Sequence, residues 1–139
     1  MASVGSEARD LPAGAYAELG NIALWFQSEA ANFQVTNDIE VCTNTNGLAE
    51  TAEKFLGEFR SEIRPPPSEV RITAIHFNQP TIVPVEEGWS VDLIPVRVVG
   101  DVVRVGGQML WPSRYIHLQR EARVSGDFFT ILVLSKCAA

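Results

Sequence analysis

The sequence predicts an α+β fold, with two N-terminal amphipathic helices packed on one face of a five- to six-stranded, mainly antiparallel, curved sheet. Three observations carry this expectation. Up to about residue 64, apolar residues recur every three or four positions, the period of a helix with one buried face. From residue 68 onward they alternate or run together in segments rich in valine and isoleucine, bounded by glycine-containing turns. Between the two lies Arg64-Pro65-Pro66-Pro67, where three prolines lack the N–H a helix needs and push the preceding residues into extended geometry. The 139 residues are read as one domain: 1–9 a flexible end, 10–64 a helical layer, 65–67 the proline break and 68–139 the antiparallel sheet.

Asp10 and Pro12 supply a helix start, a capping carboxylate followed by a proline whose missing N–H costs nothing there. The first helix is expected from about Pro12 to about Phe33, with Tyr16, Leu19, Ile22, Ala23, Phe26, Ala30 and Phe33 on its apolar stripe and Trp25 at the margin. Gly20 weakens this helix and suggests close approach of another element. Residues 34–46 read either as two short strands about the Asn37-Asp38 turn signal or as an ordered loop. A second helix, capped by Asn46, carries Leu48, Ala52, Phe55, Leu56, Phe59 and Ile63 on one face.

The strand region begins with Val70–Phe77, whose apolar positions change parity between Ala74 and Ile75, the mark of a bulge or of a strand apolar on both faces. Thr81–Val85 and Trp89–Val99 flank Glu86-Glu87-Gly88, and Pro84 and Pro95 should face an edge or a bulge because they cannot donate to a ladder. Gly100-Asp101 reads as a two-residue turn joining Leu93–Val99 to Val102–Trp111. Tyr115–Val124 and Phe128–Lys136 then pair through Ser125-Gly126-Asp127 to complete a meander.

This register makes testable faces. Ile94, Val96, Val98, Val103, Val105 and Met109 share the core side, and Arg97 and Arg104 stand side by side on the other, where like charges repel unless something negative meets them. Asp92 has the parity of Ile94 and Val96, which places a carboxylate on the apolar face near Met109. It is either a buried general acid or base or a polar residue reaching solvent at the open end of its hairpin. On the last hairpin His117 and Glu121 lie in a polar stripe with Tyr115, Gln119 and Arg123, able to exchange protons with Asp92 or His76 or simply to face solvent. The apolar Phe128, Leu132 and Leu134 beside that stripe suggest a covered face, with a second subunit as one cover.

Residues 1–64 carry ten acidic against four basic residues, whereas residues 65–139 carry seven of each. No dense basic stripe accompanies Trp25, Trp89 or Trp111, so nucleic acid is not an expected partner. No stretch has the apolar length of a membrane span, and the N-terminus has no basic segment leading into an apolar run, so an intracellular protein without a membrane partner is expected. Cys42 and Cys137 make no metal spacing and read as free thiols. Phosphate-loop, nucleophile-elbow and zinc signatures do not occur, and neither metal nor cofactor is expected.

Two functions follow as expectations. The first is a non-catalytic, protein-binding or structural subunit of an oligomer or larger assembly, with Arg97, Arg104, Phe128, Leu132 and Leu134 at its interface. The second is a small cone-like enzyme or carrier of the cyclase, isomerase or dehydratase type. It would hold a small apolar ligand between helices and sheet, in a pocket lined by Trp25, Phe55, Phe59, Trp89, Asp92 and Met109.

Overall fold

A computed structural model describes residues 8–36, 39–63, 67–100 and 102–136. An edge strand β1 (Ala8–Asp10) precedes helix α1 (Ala13–Phe26), a 3-10 turn at Glu29–Ala31, and the paired strands β2 (Phe33–Thr36) and β3 (Ile39–Cys42). Helices α2 (Thr45–Thr51) and α3 (Glu53–Phe59) follow, ending in a 3-10 turn at Arg60–Glu62. Then come β4 (Glu69–Phe77), β5 (Thr81–Val83), β6 (Trp89–Val98), β7 (Val103–Val105), β8 (Gln108–Leu110), β9 (Arg114–Leu118), β10 (Ala122–Ser125) and β11 (Phe128–Lys136). The class is α+β and the sheets are antiparallel, as expected, but the strands form two sheets instead of one. The larger runs β1-β9-β6-β11-β4-β3-β2 and the smaller β5-β10-β7-β8. From β4 to β11 the chain shuttles between them, which is the jelly-roll arrangement of eight strands in two facing sheets.

The reason lies in the central strands, which are apolar on both sides. Ala74, Ile94, Val96, Ile131 and Val133 face the helices and pack with Ala15, Leu19, Ile22, Phe26, Leu48, Phe55 and Phe59. Phe77, Val91, Leu93, Phe128 and Leu132 face the other way and pack with Val83, Val103, Val105, Leu110 and Val124 of the small sheet. A single sheet with one solvated face would leave this second set in water, at about 1.5–3 kcal/mol for each large side chain. The parity change in β4 is therefore two-sided burial and not a bulge, since its register with β11 is unbroken from Glu69 to Phe77. A bulge does occur in β6. Phe129 pairs with Arg97 and Thr130 with Pro95, leaving Val96 as the extra residue. Pro95 thus sits where no ladder donor is required, and the Thr130 hydroxyl donates to the Ile94 carbonyl at 2.8 Å.

Two expected hairpins do not form. Val98 and Val103 lie in different sheets, so Arg97 stands opposite Phe129 in the large sheet while Arg104 faces Met109 and Ser125 in the small one. The turn signal at Gly100 marks a crossing between sheets: the Val99 and Gly100 amides both donate to the Asp127 carbonyl, at 2.8 and 3.0 Å. Asp101 lies outside the described residues. Gly126, at φ 121°, completes that crossing, because a Cβ there would come within 2.7 Å of the Val102 carbonyl oxygen. Likewise Tyr115–Val124 is not one strand. It divides into β9 and β10 in opposite sheets, and β11 pairs with β4 and β6 instead.

The helical part also differs in detail. The first helix stops at Phe26, and residues 33–42 form the β2–β3 pair, the strand alternative for that segment; its Asn37-Asp38 turn lies outside the described residues. Asp10 does not cap α1 but pairs within β1, where Arg114 approaches it at 3.5 Å. The second helix is interrupted at Ala52, and its cap is Asn44, whose side-chain oxygen accepts from the Gly47 amide at 3.0 Å. Its apolar face is as read: Leu48, Ala52, Phe55, Phe59 and Ile63 are buried. Tyr16 points outward and Ala15 takes the inward position, while a Cβ at Gly20 would meet nothing.

Two-sided packing sets the expected cost of core truncation. Phe128→Ala, in the core between the sheets, should lower unfolding stability by about 3–5 kcal/mol. Met109→Ala, exposed on the small sheet, should change it by about 0.5 kcal/mol or less. Chemical denaturation of the two variants measures the difference; equal small losses would show that the sheets do not stack.

Candidate functional site

The register between β6 and β9 places Asp92 directly opposite His117 on the helix-facing side of the large sheet. Asp92 Oδ1 and His117 Nδ1 are 2.8 Å apart. The carboxylate is almost wholly buried, with 4% of its side chain exposed, while the imidazole is 21% exposed. A carboxylate can only accept, so Nδ1 carries the hydrogen and, in the neutral ring, Nε2 keeps its lone pair. Among the described residues Nε2 has no hydrogen-bond partner. Burial thus fixes one end of the pair and leaves the other at the surface.

Tyr115 stands two residues before His117 on the same face. Its hydroxyl donates to Glu62 Oε1 at 2.8 Å, joining β9 to the 3-10 turn after α3. Burial raises the Tyr115 phenol well above its ordinary value; the hydrogen bond and charge of Glu62 push the same way, Arg9 opposes them, and Asp92 adds a smaller upward push. Tyr115 therefore stays a neutral donor. On the other side of Asp92, Ser90 and Ser135 face each other across β6 and β11, both buried. The Ser135 hydroxyl has no hydrogen-bond partner among the described residues, a costly state for a buried polar group. Ser90, Asp92 and Ser135 with His117 and Tyr115 thus form a polar strip within an otherwise apolar layer.

The other sequence-derived candidates do not join this strip. His76 lies on β4, its Nδ1 2.6 Å from Glu40 Oε1, its Nε2 2.6 Å from Asp127 Oδ1, and its ring stacked on Phe129 at 4.1 Å. It ties β3 and β4 to the turn before β11. Glu121 is exposed in the connection between β9 and β10 and is not on a strand with His117.

The pocket expected between helices and sheet is not assembled. Phe55 and Phe59 stack at 5.5 Å, fully buried in the core, and Trp25 packs at its edge. Trp89 lies under Arg71, and Met109 is in the small sheet. Nor does the expected interface stand free: Phe128 and Leu132 are buried beneath the chain's own second sheet, and Leu134 is half-buried at its margin. Cys42 is buried with its thiol donating to the Ala31 carbonyl, and burial raises its pKa; Cys137 lies outside the described residues. Among the described residues no cluster of His, Cys, Asp and Glu could hold a metal, and no helix is long and apolar enough to cross a membrane.

Sequence parity placed Asp92 on a buried face but paired it with the wrong neighbour. The partnership with His117, Glu62 and the two serines depends on a β6–β9 register that skips over two intervening strands, and no local turn signals it.

No protein-family profile and no curated protein matches this chain. Among solved structures the jelly roll has a clear counterpart. A prolyl-4-hydroxylase from Pseudomonas putida superposes with a TM-score of 0.59 at 5% sequence identity, over 97% of this chain and 94% of that one. At that identity the likeness shows the fold. It overturns the expectation of a non-catalytic structural subunit, because the fold is one that a known enzyme uses and the apolar residues behind that expectation are covered within the chain itself.

The Tyr115 environment gives a pH dependence of definite sign. Below pH 10, the ordinary phenol value, Tyr115 is neutral in both folded and unfolded chains and its contribution is complete. Above it the unfolded chain releases a proton that the folded site retains, so stability falls by up to about 1.4 kcal/mol per pH unit. Urea unfolding of the native protein and of Tyr115→Phe at rising alkaline pH should show the steeper loss in the native protein; parallel losses would mean that the phenol is not held neutral.

Proposed function

We propose that the protein is an enzyme that uses Asp92 and His117 for general acid–base catalysis on a carbonyl substrate, with hydrolysis of an ester as the simplest reaction. The observation that carries this reading is a buried carboxylate orienting an imidazole whose Nε2 has no partner among the described residues. Nε2 takes a proton from water while the water oxygen bonds to the carbonyl carbon. The imidazolium formed is stabilised by Asp92 and returns the proton to the departing alkoxide. Ser90 and Ser135, buried on the same face of the sheet, add polar hydroxyls to the layer that holds the pair.

The hydroxylation named for the structural counterpart does not carry over. An oxygenase centre of two histidines and one carboxylate on iron would need His76 and His117, the only two histidines of the chain, on one ion. They lie on strands three places apart in the sheet, about 14 Å, and four residues apart along the strands, about 13 Å. The donor set does not fit that centre.

Hydrolysis of 4-nitrophenyl acetate tests the reading. The native protein should exceed the buffer rate. His117→Ala should remove about 10²–10⁴-fold of that excess, with Asp92→Asn falling between the two and His76→Ala retaining the native rate. A His117→Ala protein that folds and hydrolyses as fast as the native one would overturn it.

A further inference from the structure

We infer that the open end of the sandwich is a binding site for a small apolar α-amino acid in its zwitterionic form. A cavity of about 150 Å³ lies there, lined by Arg71, Pro84, Glu86, Trp89, Val91 and Leu134. The site is separate from Asp92 and His117, because Val91 and Asp92 are neighbours in β6 and face opposite sides of the large sheet.

Three strands of the large sheet build its floor. Leu134 of β11 pairs with Arg71 of β4 on one side and with Val91 of β6 on the other, so the three side chains stand in one row across the sheet. Val91 and Leu134 continue the apolar core between the sheets. The small sheet stops short of this row, since β5 ends at Val83, and the connection carrying Pro84 and Glu86 borders the opening instead. A cavity of this volume with apolar walls takes a body about the size of benzene, which matches a branched aliphatic side chain.

The mouth carries Arg71, paired with Glu69, and the carboxylate of Glu86. Arg71 gives its Nε to Glu69, and its guanidinium lies over the Trp89 ring, 5.2 Å from the centroid. Stacking and ion pairing fix the plane of the fork, while the two terminal nitrogens have no acceptor among the described residues. That is a seat for a carboxylate. Glu86 lines the same opening and forms no ion pair with Arg71 or any other described residue, so it is available to an ammonium. A simple carboxylic acid would leave Glu86 as an unmatched like charge, and a simple amine would leave the terminal N–H groups of Arg71 without an acceptor. An α-amino acid carries both charges on the carbon that bears its side chain, so one molecule meets both rim groups and fills the apolar floor.

Calorimetric titration with L-leucine, alongside amide and indole NMR shifts, tests the assignment. A ligand of this size should bind with Kd on the order of 10⁻⁴ M and shift the Trp89 indole signal. The exposed variants Arg71→Gln and Glu86→Gln should each weaken binding by about 10- to 100-fold. N-acetyl-leucine, lacking the ammonium, and isopentylamine, lacking the carboxylate, should bind more weakly by a similar factor. Equal affinity for N-acetyl-leucine would overturn the zwitterion assignment in favour of a carboxylate or peptide C-terminus, and absence of any leucine-induced shift at Trp89 would overturn the site. Because esterase activity is read at His117 on the opposite face, loss of one result leaves the other standing.

Discussion

The structure depends on the burial of the central strands β6 and β11 from both sides. Each has one row of apolar side chains against the helices and another against the small sheet. Neither cover alone keeps both rows out of water. The jelly roll follows from this need. The chain leaves the large sheet after β4, β6 and β9 and returns each time, so the small sheet is laid down strand by strand over the row that the helices cannot reach.

The same two-sided burial makes the Asp92 region unusual. A strand buried on both faces has no solvated side on which to place a carboxylate, and β6 places Asp92 inside the helix-facing layer. Its charge is met by His117 from β9, and the polar strip is completed by Ser90, Ser135 and Tyr115, with Glu62 supplied by the chain after α3. Polar groups held inside an apolar layer cost stability unless each is satisfied. The unsatisfied hydroxyl of Ser135 is a point in this strip where that cost is not recovered among the described residues.

What the sequence made legible was what periodicity encodes. The amphipathic face of Leu48, Phe55 and Phe59, the extended region after the prolines, the position of Pro95 at a bulge and the buried parity of Asp92 all follow from spacing within one element. What it hid were relations between elements. Gly100 and Gly126 carry the composition of hairpin turns, yet they serve a crossing between sheets, because the apolar surface to be covered outweighs a local turn preference. Hairpin pairing sets Arg97 beside Arg104 and Met109 near Asp92, and leaves Phe128 and Leu132 without a cover. In the structure the partners of β6 and β11 lie several elements away in sequence instead.

The bulge at Val96 has a consequence for how this chain can change over time. Before it, odd-numbered residues of β6 face the small sheet; after it, Val98 takes that side. Deleting Val96 would close the bulge and leave its neighbours on their present faces, whereas a one-residue deletion elsewhere in β6 would send every side chain on one side of it to the wrong layer. A one-residue insertion elsewhere in β6 would do the same to Asp92. Lineages carrying this fold are therefore free to lengthen the connections at the rim or to lose the bulge, but not to add or remove a single residue elsewhere in β6, even where its individual residues drift.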